Sequence, residues 1–341
     1  MTMRARRAPL ALTMGEPAGV GGEIALKAWT RRDNLPTFFI IDDAGRLSAL
    51  AERFGIDCPI ASIAAPAAAH EVFHRALPVM PLAAPLPAVA LGVPSASTAQ
   101  AVVGAINQAV DYVKAGTASG MVTNPIQKAI LQNTGFAFPG HTEYLGHLAG
   151  IPDPVMMLLI EELKVVPVTV HVAIKDVAGT LTTGAIVHAA RITAASLKRD
   201  FGIARPRLAV AALNPHAGEK GKMGGEEGSI IAPAIAQLRE DGLDVSGPAP
   251  ADTLFHAAAR RGYDAAICMY HDQALIPLKT LDFAGGVNMT LGLPFVRTSP
   301  DHGTACDIAN TGAADPSSLM AALRTAGAVA ARRDQAGTLT L

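Results

Sequence analysis

Short apolar runs alternating with longer helix-like stretches constrain this chain more than any other feature of it. Leu10–Met14 reads as a strand, Gly15–Gly22 as a glycine-rich loop and Glu23–Thr30 as a helix. Thr37–Ile41 is a second strand, followed by a helix over Ala44–Phe54. A helix over Ser97–Ala115 carries Ala101, Ile106, Ala109, Val110 and Val113 on or near one face, and leads to a short strand at Met121–Val122. Further strands are expected at Val165–Val172, Leu208–Leu213 and Ala265–Tyr270, with helices over Arg191–Phe201, Ile230–Asp241 and Ser317–Arg333. Strand, helix, strand is the βαβ unit, so the pattern predicts an α/β fold on mainly parallel sheets. At 341 residues this is two domains or one large one.

Composition removes several function classes. Lys plus Arg number 28 against 29 Asp plus Glu, a net charge of −1, which leaves no electrostatic footprint for nucleic acid or an anionic membrane. Apolar residues make up 50% of the chain, enough for a sizeable core. The mean hydropathy is positive, +0.30, yet no stretch reaches the ~18 consecutive apolar residues of a spanning helix. Cys58, Cys268 and Cys306 are odd in number and far apart, which argues against a disulfide framework. Met1–Arg7 resembles the basic start of a secretory signal, but the apolar run after Pro9 breaks within a few residues. A soluble, cytoplasmic protein is expected. From Cys58 to Thr98 the chain turns Ala- and Pro-rich, with prolines at 59, 66, 78, 81, 85, 87 and 94, which predicts short edge strands and a surface excursion.

One string is a decoy. His70-Glu71-Val72-Phe73-His74 matches the HExxH zinc pattern, but it lies in the Ala/Pro-rich excursion with no third ligand nearby; a solvated amphipathic turn is the better reading. His171, His216 and His271 form a more coherent set. Each lies at or just beyond the carboxyl end of a predicted strand, where ligands bind in open α/β sheets, and three neutral imidazoles suit Zn²⁺ or a similar divalent ion. The alternative for each is a hydrogen-bonded loop residue. Phe138-Pro-Gly-His141-Thr142-Glu143 opens a helix, where backbone N–H groups favour phosphate; alternatively Thr142 caps the helix. Lys279, Asn288 and Arg297 supply donors suited to carboxylate or phosphate. Gly15 to Gly22 does not have GxGxxG spacing, so a standard dinucleotide fingerprint is absent.

The strings TMGEPAGVGGE, TNPIQK, FPGHTEYL, LNPHAGE, GPAPADTLF, YHDQALIPLK and GVNMTLGLPFVRTSPDHGTA, in that order, resemble the 4-hydroxythreonine-4-phosphate dehydrogenase family of pyridoxine biosynthesis. LTMGEPAGVGGE and HGTACDIANTGAADP look like loops of isocitrate and isopropylmalate dehydrogenases, which bind NAD(P) without GxGxxG. The sequence departs from the family at Ala274, where glycine is expected, and the stretch 57–96 matches nothing in it.

The resemblance implies a two-domain isocitrate/isopropylmalate dehydrogenase-like fold with a cleft between domains. Residues 1–125 plus 280–341 would form the cofactor-side domain, and 126–279 the metal, substrate and dimerisation domain. It implies metal ligands His171, His216 and His271 for one divalent ion (Zn, Mg or Co) per site. Substrate would be held by His141, Thr142, Asp252, Lys279, Asn288 and Arg297. The nicotinamide cofactor, NAD or NADP, would lie against Gly15, Glu16, His302, Gly303, Thr304 and Asp307. A homodimer would share its sites, with His271, Lys279, Asn288 and Arg297 coming from the second subunit. The implied reaction oxidises 4-phosphohydroxy-L-threonine at C3 and loses CO₂ to give 3-amino-2-oxopropyl phosphate. D-threonate or D-erythronate 4-phosphate dehydrogenase, a dihydrodiol dehydrogenase, a metal-dependent lyase and a non-catalytic phosphometabolite-binding protein are the alternatives.

Overall fold

A computed structural model describes residues 7–338 of the chain. In chain order its strands are β1 Leu10–Thr13, β2 Phe38–Asp42, β3 Ile60–Ser62, β4 Leu77–Pro81, β5 Gly120–Thr123, β6 Val155–Leu159, β7 Lys164–Pro167, β8 Arg207–Ala211, β9 Asp244–Ala249, β10 Ala265–Cys268, β11 Val287–Leu291 and β12 Arg297–Pro300. The chain divides into two compact units. The first takes the chain up to Asp153 together with Leu293–Ala331; the second takes Pro154–Gly292 together with the helix end from Arg332.

The first unit orders its strands β3-β4-β2-β1-β5-β12, and every pairing in that run is parallel. β1 and β2 are buried along their whole length, as continuous apolar strands covered on both faces must be. The helix Ala99–Lys114 packs on β1, β2 and β5. Ala44–Phe54 is opened by the Asp43 carboxylate, which accepts from Arg46 N–H, and closed by left-handed Gly55.

The sequence places the domain boundaries near residues 125 and 280; the compact units divide at 153 and 292 instead. The physical reason is apolar. Ile126, Leu131, Tyr144 and Leu145 are buried in one cluster with Phe39, Val102 and Ile106, and Phe136 and Phe138 pack against it. β4 also corrects an expectation. It lies between β3 and β2 although it contains Pro78, so the Ala/Pro-rich stretch contributes an inner strand.

The second unit orders its strands β11-β6-β7-β10-β8-β9. β7, β10, β8 and β9 pair in parallel, while β6 is antiparallel to both β7 and β11. The expected strands here are real but shorter, ending at Pro167, Ala211 and Cys268. The helix expected from Arg191 begins at Thr183, because the Thr182 hydroxyl accepts from Ala185 N–H and caps it there. All three cysteines are free. Among the described residues, no helix is long and apolar enough to cross a membrane.

Just past their last residues, the three neighbouring strands β7, β10 and β8 are tied together. Val168 N–H donates to Cys268 O at 2.8 Å, and the Thr169 hydroxyl donates to Met269 O at 2.8 Å. The Gln273 side chain bridges the other pair: Oε1 accepts from Met269 N–H at 2.6 Å and Nε2 donates to Ala212 O at 2.7 Å. Gln273→Leu leaves a buried N–H and a buried C=O unpaired, so we expect a loss of about 2–4 kcal/mol in urea denaturation. A loss below about 1 kcal/mol would show that these two groups find other partners.

Candidate active site

The second unit carries the three histidines. His171 follows β7, His271 follows β10 and opens the helix His271–Leu281, and His216 follows β8. Since β7, β10 and β8 are consecutive in the sheet, all three imidazoles belong to one stretch of its carboxyl edge. His171 and His271 line a common hollow of about 400 Å³ with Val170, Val172, Tyr270 and Asp272, and His271 Nδ1 lies 2.7 Å from Asp272 Oδ1. His216 does not line that hollow and sits in a left-handed turn. Among the described residues no three His, Cys, Asp or Glu side chains are gathered closely enough to hold a metal ion. The donor set, three imidazoles with two of them lining one hollow, fits a divalent ion chemically. The HExxH string gathers nothing: His70 lies in a helix of four residues and its Nε2 meets Arg7 O at 2.9 Å.

Other predicted substrate residues of this unit are dispersed along it. Asp252 is exposed in the short helix Ala251–Leu254. Lys279 is half-buried in the last turn of His271–Leu281, with its ammonium 5.2 Å from the Phe283 ring centroid. Asn288, on β11, donates from Nδ2 to Met156 Sδ at 3.1 Å, while its buried Oδ1 has no partner. Ala274, the departure from the family string, is fully buried in this unit's core.

In the first unit Arg297 lies close enough to His141 to act on its charge state. Arg297 begins β12, is 3% exposed, and donates from Nη2 and Nε to Thr123 Oγ1 at 2.7 and 3.2 Å. His141 and Thr142 open the helix His141–Ala149, whose N-cap, Gly140, is extended and offers no side-chain cap. Thr142 is therefore not the cap, and the first amides are left for a ligand. Burial drives the His141 imidazole well below its ordinary range, and the charges of Arg297 and Lys128 push the same way. His141 Nε2 is buried without a partner. Burial also lowers the Arg297 guanidinium to about 10, so it stays charged at neutral pH. Sequence reasoning quoted TNPIQK without giving Lys128 or Thr123 a role; their signal was a polar string closing a strand, the same one that marked the histidines.

The loops that carry the predicted cofactor residues meet at the ends of β1, β5 and β12. Val20 N–H donates to Thr304 O at 3.0 Å, and Glu16 N–H donates to Pro125 O at 2.8 Å. A Cβ on Gly19 would stand 2.5 Å from Thr304 O, and one on Gly15 (φ +69°) 2.6 Å from Pro125 O; only glycine allows either approach. Burial raises the Glu16 carboxyl, against the opposing pull of the Ala18 N–H and Arg46. His302 Nδ1 contacts Gly303 O while its buried Nε2 is unpartnered, and Gly303 and Asp307 are exposed.

His141 sets a pH dependence. The unfolded imidazole protonates near pH 6.5, whereas the native one resists protonation, so the native state loses stability as pH falls below ~6.5 and is unaffected above it. Denaturation at pH 7.5 and 5.5 should show a smaller fall in His141→Gln than in the parent, by up to about 1.4 kcal/mol per unit, the slope for one proton. Parallel curves would place the imidazole in contact with water.

Comparison with known proteins covers most of the chain. The family model of pyridoxal phosphate biosynthetic protein PdxA matches residues 34–326. The 4-hydroxythreonine-4-phosphate dehydrogenase of Bradyrhizobium diazoefficiens is 52% identical over 339 residues, covering 95% of this chain and 98% of that one. The crystal structure of 4-hydroxythreonine-4-phosphate dehydrogenase from Klebsiella pneumoniae is 36% identical, with a TM-score of 0.85 over 96% of this chain and 99% of that one. A terephthalate 1,2-cis-dihydrodiol dehydrogenase from Burkholderia xenovorans matches less well, at 29% identity and a TM-score of 0.63 over 94% and 99%. The residues matched and the fold shared lead to one conclusion: the chain belongs to the PdxA family of pyridoxal phosphate biosynthetic proteins.

Proposed function

We propose that this chain is a 4-hydroxythreonine-4-phosphate dehydrogenase, oxidising 4-phosphohydroxy-L-threonine at C3 in pyridoxine biosynthesis, with loss of CO₂ from the 3-oxo acid. The observation that carries the reading is a relative of that name, 52% identical over nearly its full length, while the dihydrodiol dehydrogenase stands at 29%. The first unit supports it independently. An uncapped helix start, a buried guanidinium and a neutral imidazole with an unpartnered nitrogen make a ready acceptor for a phosphate. In this reading His141, Thr142, Lys279 and Arg297 anchor anionic substrate groups, and Asp252 and Asn288 orient the remainder for hydride transfer. NAD or NADP, held along Gly15, Glu16, His302, Gly303, Thr304 and Asp307, supplies the hydride acceptor. One divalent ion (Zn, Mg or Co), held by His171, His216 and His271, supplies Lewis acidity at the reacting hydroxyl.

The proposal includes a homodimer with shared sites. Ile174, Ile276, Leu281 and Phe283 support it, exposed at 77%, 63%, 41% and 78% in the second unit. A cytoplasmic location is supported by the three free thiols.

The test offers the protein NAD⁺ or NADP⁺ with 4-phosphohydroxy-L-threonine, D-threonate 4-phosphate and D-erythronate 4-phosphate. Reduced nicotinamide should form fastest with the first; no reduction with any of them would remove the dehydrogenase reading. Lys279→Ala should lower kcat/KM about 30- to 1,000-fold, or about 2–4 kcal/mol, with little change in the KM for cofactor. For the shared site, His216→Ala and Lys279→Ala are mixed. If each defect falls on a different subunit's contribution, about half of randomly assorted dimers are mixed and about a quarter of all sites are intact, so comparable activity returns. No recovery would mean that each site is built within one chain.

A further inference from the structure

The turn that carries His216 has an unusual backbone. His216, Ala217, Glu219 and Lys220 have φ values of 52°, 53°, 44° and 58°, with Gly218 at 74° between them. A left-handed conformation costs a non-glycine residue about 1–2 kcal/mol, so four of them persist only where their surroundings over-determine the path. Two carboxylates hold the turn: Glu226 Oε2 accepts from Asn214 Nδ2 at 2.7 Å, and the buried Glu227 makes the larger set of contacts. Glu227 is 7% exposed, and its Oε1 accepts from Leu213 N–H at 2.9 Å and Asn214 N–H at 2.7 Å. Its Oε2 accepts from Asn214 Nδ2 at 3.0 Å and would lie 2.5 Å from a Cβ on Gly218. Glu227 thus grips the two residues that enter the turn and butts against the middle of it. Met223 N–H closes the turn on Gly218 O at 3.1 Å. Glu227 also begins a π-helical turn, Glu227–Ile231, a widened turn that recurs at functional sites, and the helix Ala232–Glu240 follows directly.

We infer that Glu227 is a positioning residue for His216, and that its grip on Leu213, Asn214 and Gly218 sets the affinity of the second unit for a divalent ion. The inference rests on reading His171, His216 and His271 as the ligand set. Glu227 touches no ligand. It restricts the places the His216 imidazole can occupy, much as outer partners of metal-binding histidines do.

The experiment titrates metal-stripped full-length protein with Co²⁺, read by its visible absorption and by competition with a chromophoric chelator, beside urea denaturation of the same samples. His216→Ala should abolish the Co²⁺ spectrum. Glu227→Ala should weaken Co²⁺ binding about 10- to 100-fold in the folded protein. Glu227→Gln keeps Oε1 but sets an amide against Asn214, so it should fall between parent and Glu227→Ala. Gly218→Ala drives a methyl into Oε2 and should weaken binding from the other side. The double variant should lose less than the sum of the two single effects, because the clash with Oε2 is gone while the strain of an alanine at φ +74° remains. A merely structural role would lower the urea midpoint and leave Co²⁺ affinity unchanged. If His216→Ala loses the ion while Glu227→Ala, Glu227→Gln and Gly218→Ala bind it like the parent, the inference fails alone. If His216→Ala binds Co²⁺ normally, the ligand set is wrong and the inference falls with it. Should Glu227→Ala not fold, Glu227→Gln and Gly218→Ala decide the matter by the same criterion.

Discussion

In a run of parallel strands every chain leaves the sheet at the same edge, so loops far apart in sequence are delivered side by side. Both units use this constraint. In the first, β1, β5 and β12 are neighbours, and the loops that follow them meet where Val20 N–H donates to Thr304 O and Glu16 N–H donates to Pro125 O. In the second, β7, β10 and β8 are neighbours, and the segments bearing His171, His271 and His216 follow them. The antiparallel strand β6 stands outside that set, and no predicted site residue lies on it. Parallel pairing thus decides which residues can meet before any side chain is considered.

Loops delivered this way still need fixing, and buried carboxylates do much of it. Glu23, 2% exposed, accepts from Lys27 Nζ at 2.7 Å and from Ala314 N–H at 2.9 Å, while Lys27 also donates to Gly312 O and Ala314 O. That tie holds the far end of the loop that begins at His302. Asp42 pairs in bidentate fashion with Arg46, whose Nη1 reaches Pro17 O in the glycine loop. Within the second unit, burial alone would raise the Asp200 carboxyl, but Arg199 and Arg333 hold it below its ordinary range. Each carboxylate is paired with a cation, and removing one partner of such a pair costs about 3–5 kcal/mol because a buried charge is left alone.

Legibility in the sequence follows the same division. β1 and β2 were readable because strands covered on both faces are continuously apolar. β12 was not, because Arg-Thr-Ser-Pro is polar; it is buried all the same, its groups satisfied by Thr123 Oγ1 and Ala322 O. The helix His271–Leu281 was hidden by Pro277 in its interior. His171, His216 and His271 were legible as a residue type repeated at strand ends. Glu227 was missed because the stretch from Asn214 to Glu227 reads as a glycine-rich loop whose backbone N–H groups, not its acids, draw attention. Only the fold turns one of those acids inward.

The contrast between the two units has a physical origin. The first unit's anion group is built before any ligand arrives: Arg297 is locked by Thr123, and the His141 imidazole stays neutral because burial and two neighbouring cations both resist its protonation. A phosphate reaching it would supply the missing negative charge, shifting His141 towards its protonated form and making Nε2 a charged donor. The group need not move, so little ordering entropy opposes binding. The histidines of the second unit are the reverse case. Their strand ends are pinned by Gln273 and Thr169, yet His216 is carried on a turn whose backbone sits in a disfavoured region. Such a backbone persists only where its surroundings over-determine it, and here Glu227 holds the residues that enter the turn and abuts Gly218 in its middle.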